Sequence, residues 1–157
     1  MPRFHCVFVG RTRFPDLDVA IQRYLDRLAH YVPIQVHTVK AEKITPKVRE
    51  DEVRNRETQR VLKLAGKGSC LVVWDEKGRQ FSSVELAHFL DRLVQQANAD
   101  VWMIMGGALG VSPQLREEAH AVLSLSRMTF PHDMARLLVV EQLYRAFSIL
   151  RGEPYHK

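Results

Sequence analysis

Cysteine is scarce: the chain has two among 157 residues, Cys6 and Cys70, each inside an apolar run. Two thiols so placed exclude a disulfide-stapled fold and cannot build a structural zinc site between them. They read as buried thiols of a reducing cytoplasm. The seven histidines fall at no metal-ligand spacing, so no metal is expected. Long apolar runs are missing as well. The longest, Val101 to Val111, is broken by three glycines and falls short of the ~20 residues that cross a bilayer. The opening Met1-Pro-Arg-Phe-His5 lacks the basic-then-apolar order of a signal peptide. Glycine is thin where nucleotides are usually gripped. A single Gly10 follows the first apolar run, against the three spaced glycines of a dinucleotide fingerprint. Gly66-Lys67-Gly68 lacks both the upstream glycine and the adjoining Ser/Thr of a P-loop. No internal repeat or low-complexity linker is found.

What is present is an ordinary apolar fraction, 46%, beside 26% charged residues. That is enough to bury one independent core and too apolar for a disordered chain. The net charge of +5 permits a nucleic-acid partner without requiring one. The expectation is a soluble, cytoplasmic, single-domain protein with no membrane partner.

Strand and helix signals alternate five times. Arg3 to Val9 is β-branched and aromatic and stops at Gly10, as a strand does. Pro15 and Asp16 open a helical period through Leu17, Ile21, Leu25 and Leu28, and Ile34 to Val39 alternates as a strand. Lys40 to Lys67 is highly charged, and its thin apolar stripe predicts a mobile, solvated surface arm. Cys70 to Trp74, ending in Asp75, is a strand buried on both faces. Ser82 or Ser83 caps the next helix. Val101 to Met105 is a second buried strand, closed by Gly106-Gly-Ala-Leu-Gly110. Ser112-Pro113 starts a helix, with a capping hydroxyl and then proline at the first helical position. Ala121 to Ser126 is the last strand, and a helix from about Asp133 to Leu150 precedes the tail. This order predicts an α/β fold with a mainly parallel sheet flanked by helices. Ligands would then sit beyond the carboxyl ends of the strands.

Two of those ends are rich in candidates. Gly106 to Gly110 reads equally as a tight turn or as a backbone edge for a flat, neutral heteroaromatic ligand, since it carries no cation for phosphate. Ser126-Arg-Met-Thr-Phe-Pro-His132 mixes aromatic, proline and histidine; His132 reads as a structural or a catalytic residue. The last helix is apolar almost all round, which predicts a homodimer. Arg136, Glu141 and Arg145 interrupt it, either as a solvated stripe or, for the i, i+4 pair Glu141 and Arg145, as a costly charge pair with a purpose.

Met128-Thr-Phe-Pro-His132, Arg136, Glu141-Gln-Leu-Tyr-Arg-Ala146 and Pro154-Tyr-His156 resemble the RlmH family. These are small SPOUT-class methyltransferases acting on pseudouridine in large-subunit ribosomal RNA. The resemblance covers the whole chain as one domain, residues 1–157, and is densest in the last thirty or so residues. It implies a C-terminal deep trefoil knot, a homodimer, and S-adenosylmethionine held by Trp74, Gly106 and the run Leu125, Ser126, Arg127, Met128, Thr129 and Phe130. It further implies N3-methylpseudouridine as product, in the stem-loop at the subunit interface, with the assembled ribosome as substrate. Two departures stand out. Ala108-Leu109 replaces a Pro-Glu or Ser-Asn pair, and Trp74 replaces the usual leucine.

Methyl transfer to this nitrogen asks for a base and for a cation beside the imide oxygens. Glu141, His132 and His156 are candidate bases and Arg145 the candidate oxyanion partner. Tyr155 and His156 are candidate substrate clamps, reaching toward a partner subunit's site. The basic arm, with Arg11 and Arg13, reads either as a phosphate contact or as a solvated face. Two other functions compete: a SPOUT methyltransferase with another RNA target, and a non-catalytic ribosome-binding or assembly protein.

Overall fold

Side chains two apart along each strand share a face, and here that sorts the core into two clusters. In the computed structural model, which describes residues 1–157, the strands are β1 (Phe4–Val9), β2 (Ile34–Val39), β3 (Cys70–Gln80), β4 (Val101–Met105) and β5 (Ala121–Ser124). They pair in parallel in the order β2-β1-β4-β3-β5. The helices are α1 (Pro15–Leu28), α2 (Glu50–Ala65), α3 (Ser83–Gln96), α4 (Pro113–Glu118) and α5 (His132–Leu150), with a short 3₁₀ turn at Pro154–His156. Phe4, Cys6 and Phe8 of β1 and Val101, Met103 and Met105 of β4 join α1, α3 and α5 in a cluster of 22 buried residues. The alternate residues Val7, Val9, Trp102 and Ile104 join α2 and α4 in a cluster of ten. Three layers result, with β1, β3 and β4 reading as apolar runs because both faces are covered. No helix is long and apolar enough to cross a membrane.

The expected caps are present. The Ser82 hydroxyl accepts from the Glu85 amide at 3.1 Å, and the Ser112 hydroxyl from the Leu115 amide at 3.1 Å, with Pro113 at the first helical position. Such caps contribute about 1 kcal/mol each.

The fold departs from the sequence reading in three places. β3 does not stop at Asp75. Its register with β5 jumps from Trp74↔Leu123 to Arg79↔Leu123, so Asp75 to Gly78 bulge out before pairing resumes. Gly78 permits this, since a Cβ there would lie 2.6 Å from the Leu123 carbonyl carbon. β5 ends at Ser124, two residues before the predicted Ser126. The charged segment is no free arm: α2 buries Val53 and Val61, and its Thr58 hydroxyl meets Ser112 at 2.6 Å. Its arginines are neutralised nearby, Arg54 by Glu50, Arg56 by Glu52 and Glu42, and Arg60 by Glu42. The high charge density that suggested solvation is largely satisfied within the segment, and the thin apolar stripe suffices to dock it. Cys6 is fully buried, which pushes its thiol up to about 12. Cys70 is half-buried and shifted upward for the same reason, and both are free thiols.

Candidate active site

The parallel strands end on one edge, and there β3, β4 and β5 open into a cavity of about 830 Å³, within the range of small-molecule sites. Three loops wall it. The first follows β4. Gly110 has φ +76°, and its amide donates to the Gly107 carbonyl at 3.0 Å. A Cβ on Gly106 would come within 2.9 Å of the Gly110 carbonyl. The glycines here close a tight turn, and the closed turn presents its backbone to the cavity.

The second loop follows β5. Ser124 donates to the Ser126 carbonyl at 2.9 Å, Ser126 accepts the Met128 amide at 3.0 Å, and Thr129 donates to Glu76 on the β3 bulge at 3.0 Å. The third loop follows β1 and is held from the start of α5. The Asp133 carboxylate accepts the amides of Arg13 at 2.7 Å and Phe14 at 3.2 Å. Arg136, wholly buried, donates to the Val9 carbonyl at 2.7 Å and the Thr12 hydroxyl at 3.1 Å. The solvated-stripe reading of Arg136 is thereby corrected: it braces a loop from inside the core.

Seven of the residues singled out as cofactor contacts line this cavity: Trp74, Gly106, Leu125, Ser126, Met128, Thr129 and Phe130. Arg127 is exposed and does not line it. His132 does. Burial, then the Arg136 guanidinium, hold its imidazole below the ordinary value, against the opposing pull of Asp133; Arg13 adds to the depression. Asp133 lies 3.3 Å from its Nε2, without the alignment of a hydrogen bond. His132 is therefore neutral near pH 7. The indole N–H of Trp74 is buried with no acceptor in the chain.

Glu141, Arg145, Tyr155 and His156 do not line the cavity. They gather farther along α5. One Glu141 oxygen accepts Arg145 Nε at 3.0 Å, Arg145 Nη2 at 2.6 Å and lies 3.1 Å from the Tyr155 hydroxyl; the other accepts Gln142 at 2.7 Å. The Arg145 guanidinium lies 4.8 Å from the centre of the Tyr155 ring and 3.5 Å from His156 Nδ1. Burial, with Tyr24 and Glu141, raises Tyr155 and keeps it protonated. The terminal tail is thus seated on α5. Asp75, at one of the strand ends where a ligand is expected, lines the cavity as well. So do Arg54 and Arg116, which no sequence signal assigns to it, because they reach the cavity from α2 and α4 across the fold.

The comparisons with known proteins agree with this architecture. A family model described as predicted SPOUT methyltransferase matches residues 3–156. The protein called ribosomal RNA large subunit methyltransferase H in Syntrophobacter fumaroxidans is 55% identical over 156 residues, covering 99% of both chains. Its namesake in Geotalea daltonii is 40% identical over 154 residues, covering 98% of this chain and 99% of that one. Among solved structures, a probable methyltransferase from Bordetella pertussis superposes with a TM-score of 0.59 at 11% identity, covering 93% of this chain and 96% of that one; this likeness speaks to the fold. On the strength of the family match and of relatives aligned from end to end, the chain belongs to the SPOUT methyltransferases and, among them, to the RlmH family.

Proposed function

We propose that this protein transfers a methyl group from S-adenosylmethionine to ring nitrogen N3 of a pseudouridine in large-subunit ribosomal RNA. The work would be done in the cytoplasm, by a homodimer, on the assembled ribosome. One observation carries the chemistry: the cavity at the ends of β3, β4 and β5, with His132 in its wall. The names of the relatives supply the substrate class.

The residues fit the donor. A flat base would lie between the glycine turn and the Leu125–Phe130 loop, with the unpartnered Trp74 N–H able to donate to it. When bound, S-adenosylmethionine supplies an electrophilic methyl on its sulfonium. The chain's own residues must place the nitrogen ~3 Å from that methyl and take its proton. His132 is neutral, lines the cavity and can accept that proton. Glu141 does not line the cavity, and Arg145, Tyr155 and Gln142 already engage both its oxygens. Its role is to aim Arg145 at the anion that develops on the imide oxygens.

That role falls to a second copy. Glu141 and Arg145 lie beyond Val139, the last residue of α5 to line the cavity, and neither lines the cavity of its own chain. Apolar side chains left exposed beside the cavity and on α1 favour an interface there: Met128, Phe14 and Val19 at 74%, 56% and 62% exposure. In such a dimer the Arg145 cluster of one subunit would complete the cavity of the other, beside a chain knotted through the β4 and β5 loops.

The test is to incubate the protein and labelled S-adenosylmethionine with assembled ribosomes, separated subunits or transfer RNA. Label is expected in assembled ribosomes, at N3 of a pseudouridine. Label in transfer RNA alone would point to a different RNA target, and no label in any pool would overturn the enzymatic reading.

A further inference from the structure

The bulge in β3 separates two cavities. Asp75, Glu76 and Lys77 border the one already described, whereas Arg79 and Phe81, past the bulge, border a second cavity of about 370 Å³ between the edge strand β5 and α3. On α3, Phe89, Arg92, Leu93 and Gln96 follow the i, i+3, i+4, i+7 spacing of one helix face. Phe89 and Leu93 are buried and make the floor, while Arg92 and Gln96 are exposed. His120, just before β5, closes the rim.

The chemistry of this cavity is one-sided. No carboxylate lines it, and neither Arg79 nor Arg92 forms an ion pair. On α2, by contrast, Arg54, Arg56 and Arg60 are neutralised by glutamates. The Arg79 guanidinium lies 4.8 Å from the centre of the Phe81 ring, and that ring lies 5.5 Å from Phe89. Two uncompensated guanidiniums above an aromatic floor suit an anion that carries a flat apolar group. A phosphate joined to an unstacked base has that composition.

Position identifies the source. Leu123 of β5 lines the second cavity and Leu125, just past the end of that strand, lines the first, so the two are at most ~7 Å apart along the chain. Resting on the reading of this protein as an RNA methyltransferase, we propose that the second cavity holds an unpaired, phosphate-bearing nucleotide of the same RNA whose target base enters the cleft.

The test compares wild type with the Arg79→Ala/Arg92→Ala double variant. Both side chains are exposed, so folding should survive; circular dichroism and S-adenosylmethionine affinity check this. Co-sedimentation with purified ribosomes is measured from about 50 to about 200 mM salt. Losing the contact to that nucleotide's phosphate should shrink the fall in affinity over that range by about threefold, and should raise KM for ribosomes with kcat kept. Arg79→Lys/Arg92→Lys should restore the salt dependence. Unchanged salt dependence and KM overturn the proposal. Weakened binding with the wild-type salt dependence also overturns it, in favour of a ribosomal-protein contact. Wild-type protein that binds ribosomes without methylating them would instead defeat the catalytic reading, leaving the salt test intact.

Discussion

His132 owes its character to burial at the first turn of α5, with Arg136 behind it. A histidine held neutral below its ordinary value of 6.5 can serve as a base over most of the physiological range. The sign follows. Only the unprotonated imidazole accepts a proton, so kcat/KM should climb as pH rises through a value below 6.5 and then level off. His132→Asn should lower the rate ~10²–10⁴-fold and remove that limb. A pH profile unchanged in the variant would exclude His132 as the base. The sequence placed this residue in the right loop but left its role open, because nothing local reveals that Arg136 is buried beside it. For Arg136 the sequence suggests a solvated stripe. Its spacing of five from Glu141 looks like a polar stripe, and only the fold shows that its guanidinium satisfies the Val9 carbonyl and Thr12.

Among the elements, those with a single dominant signal were readable. The alternating strands and the Ser82 and Ser112 caps needed only local chemistry. The β3 bulge was not, because Asp75-Glu-Lys-Gly78 carries a loop's composition while the pairing that resumes at Arg79 depends on β5, some forty residues later. The docking of α2 was hidden similarly, since its partner Ser112 belongs to another element. Thr58 donates its hydroxyl hydrogen to the Arg54 carbonyl at 2.9 Å, so across their 2.6 Å contact Ser112 must be the donor. Ser112 thus caps α4 and clasps α2 at once. Ser112→Ala should lower stability by about 1–3 kcal/mol, combining a lost cap with a lost buried hydrogen bond. It should also speed amide exchange across Glu50–Ala65, while a serine acting as a cap alone would leave α2 exchange at the wild-type rate. Denaturant titration and hydrogen exchange read the two effects separately.

At the scale of the whole molecule, the charged groups of α5 pose a geometric problem that the linear sequence conceals. Read along the chain, His132, Glu141 and Arg145 look like one constellation; in the fold only His132 reaches the cavity. The proposed twofold dimer would resolve this, because an isologous contact would let each subunit lend its Glu141–Arg145–Tyr155 cluster to the other's cleft. The arrangement is testable by complementation. His132→Asn and Arg145→Gln chains should each be nearly inactive as homodimers. In a mixed dimer one composite site carries both lesions and the other carries none. Equal random mixing should therefore restore about one quarter of wild-type activity, half the dimers being mixed and each having one intact site of two. If each chain served its own cavity, every site in the mixture would keep one lesion, and mixing would restore nothing. Light scattering on each variant, to show that it still dimerises, completes the experiment.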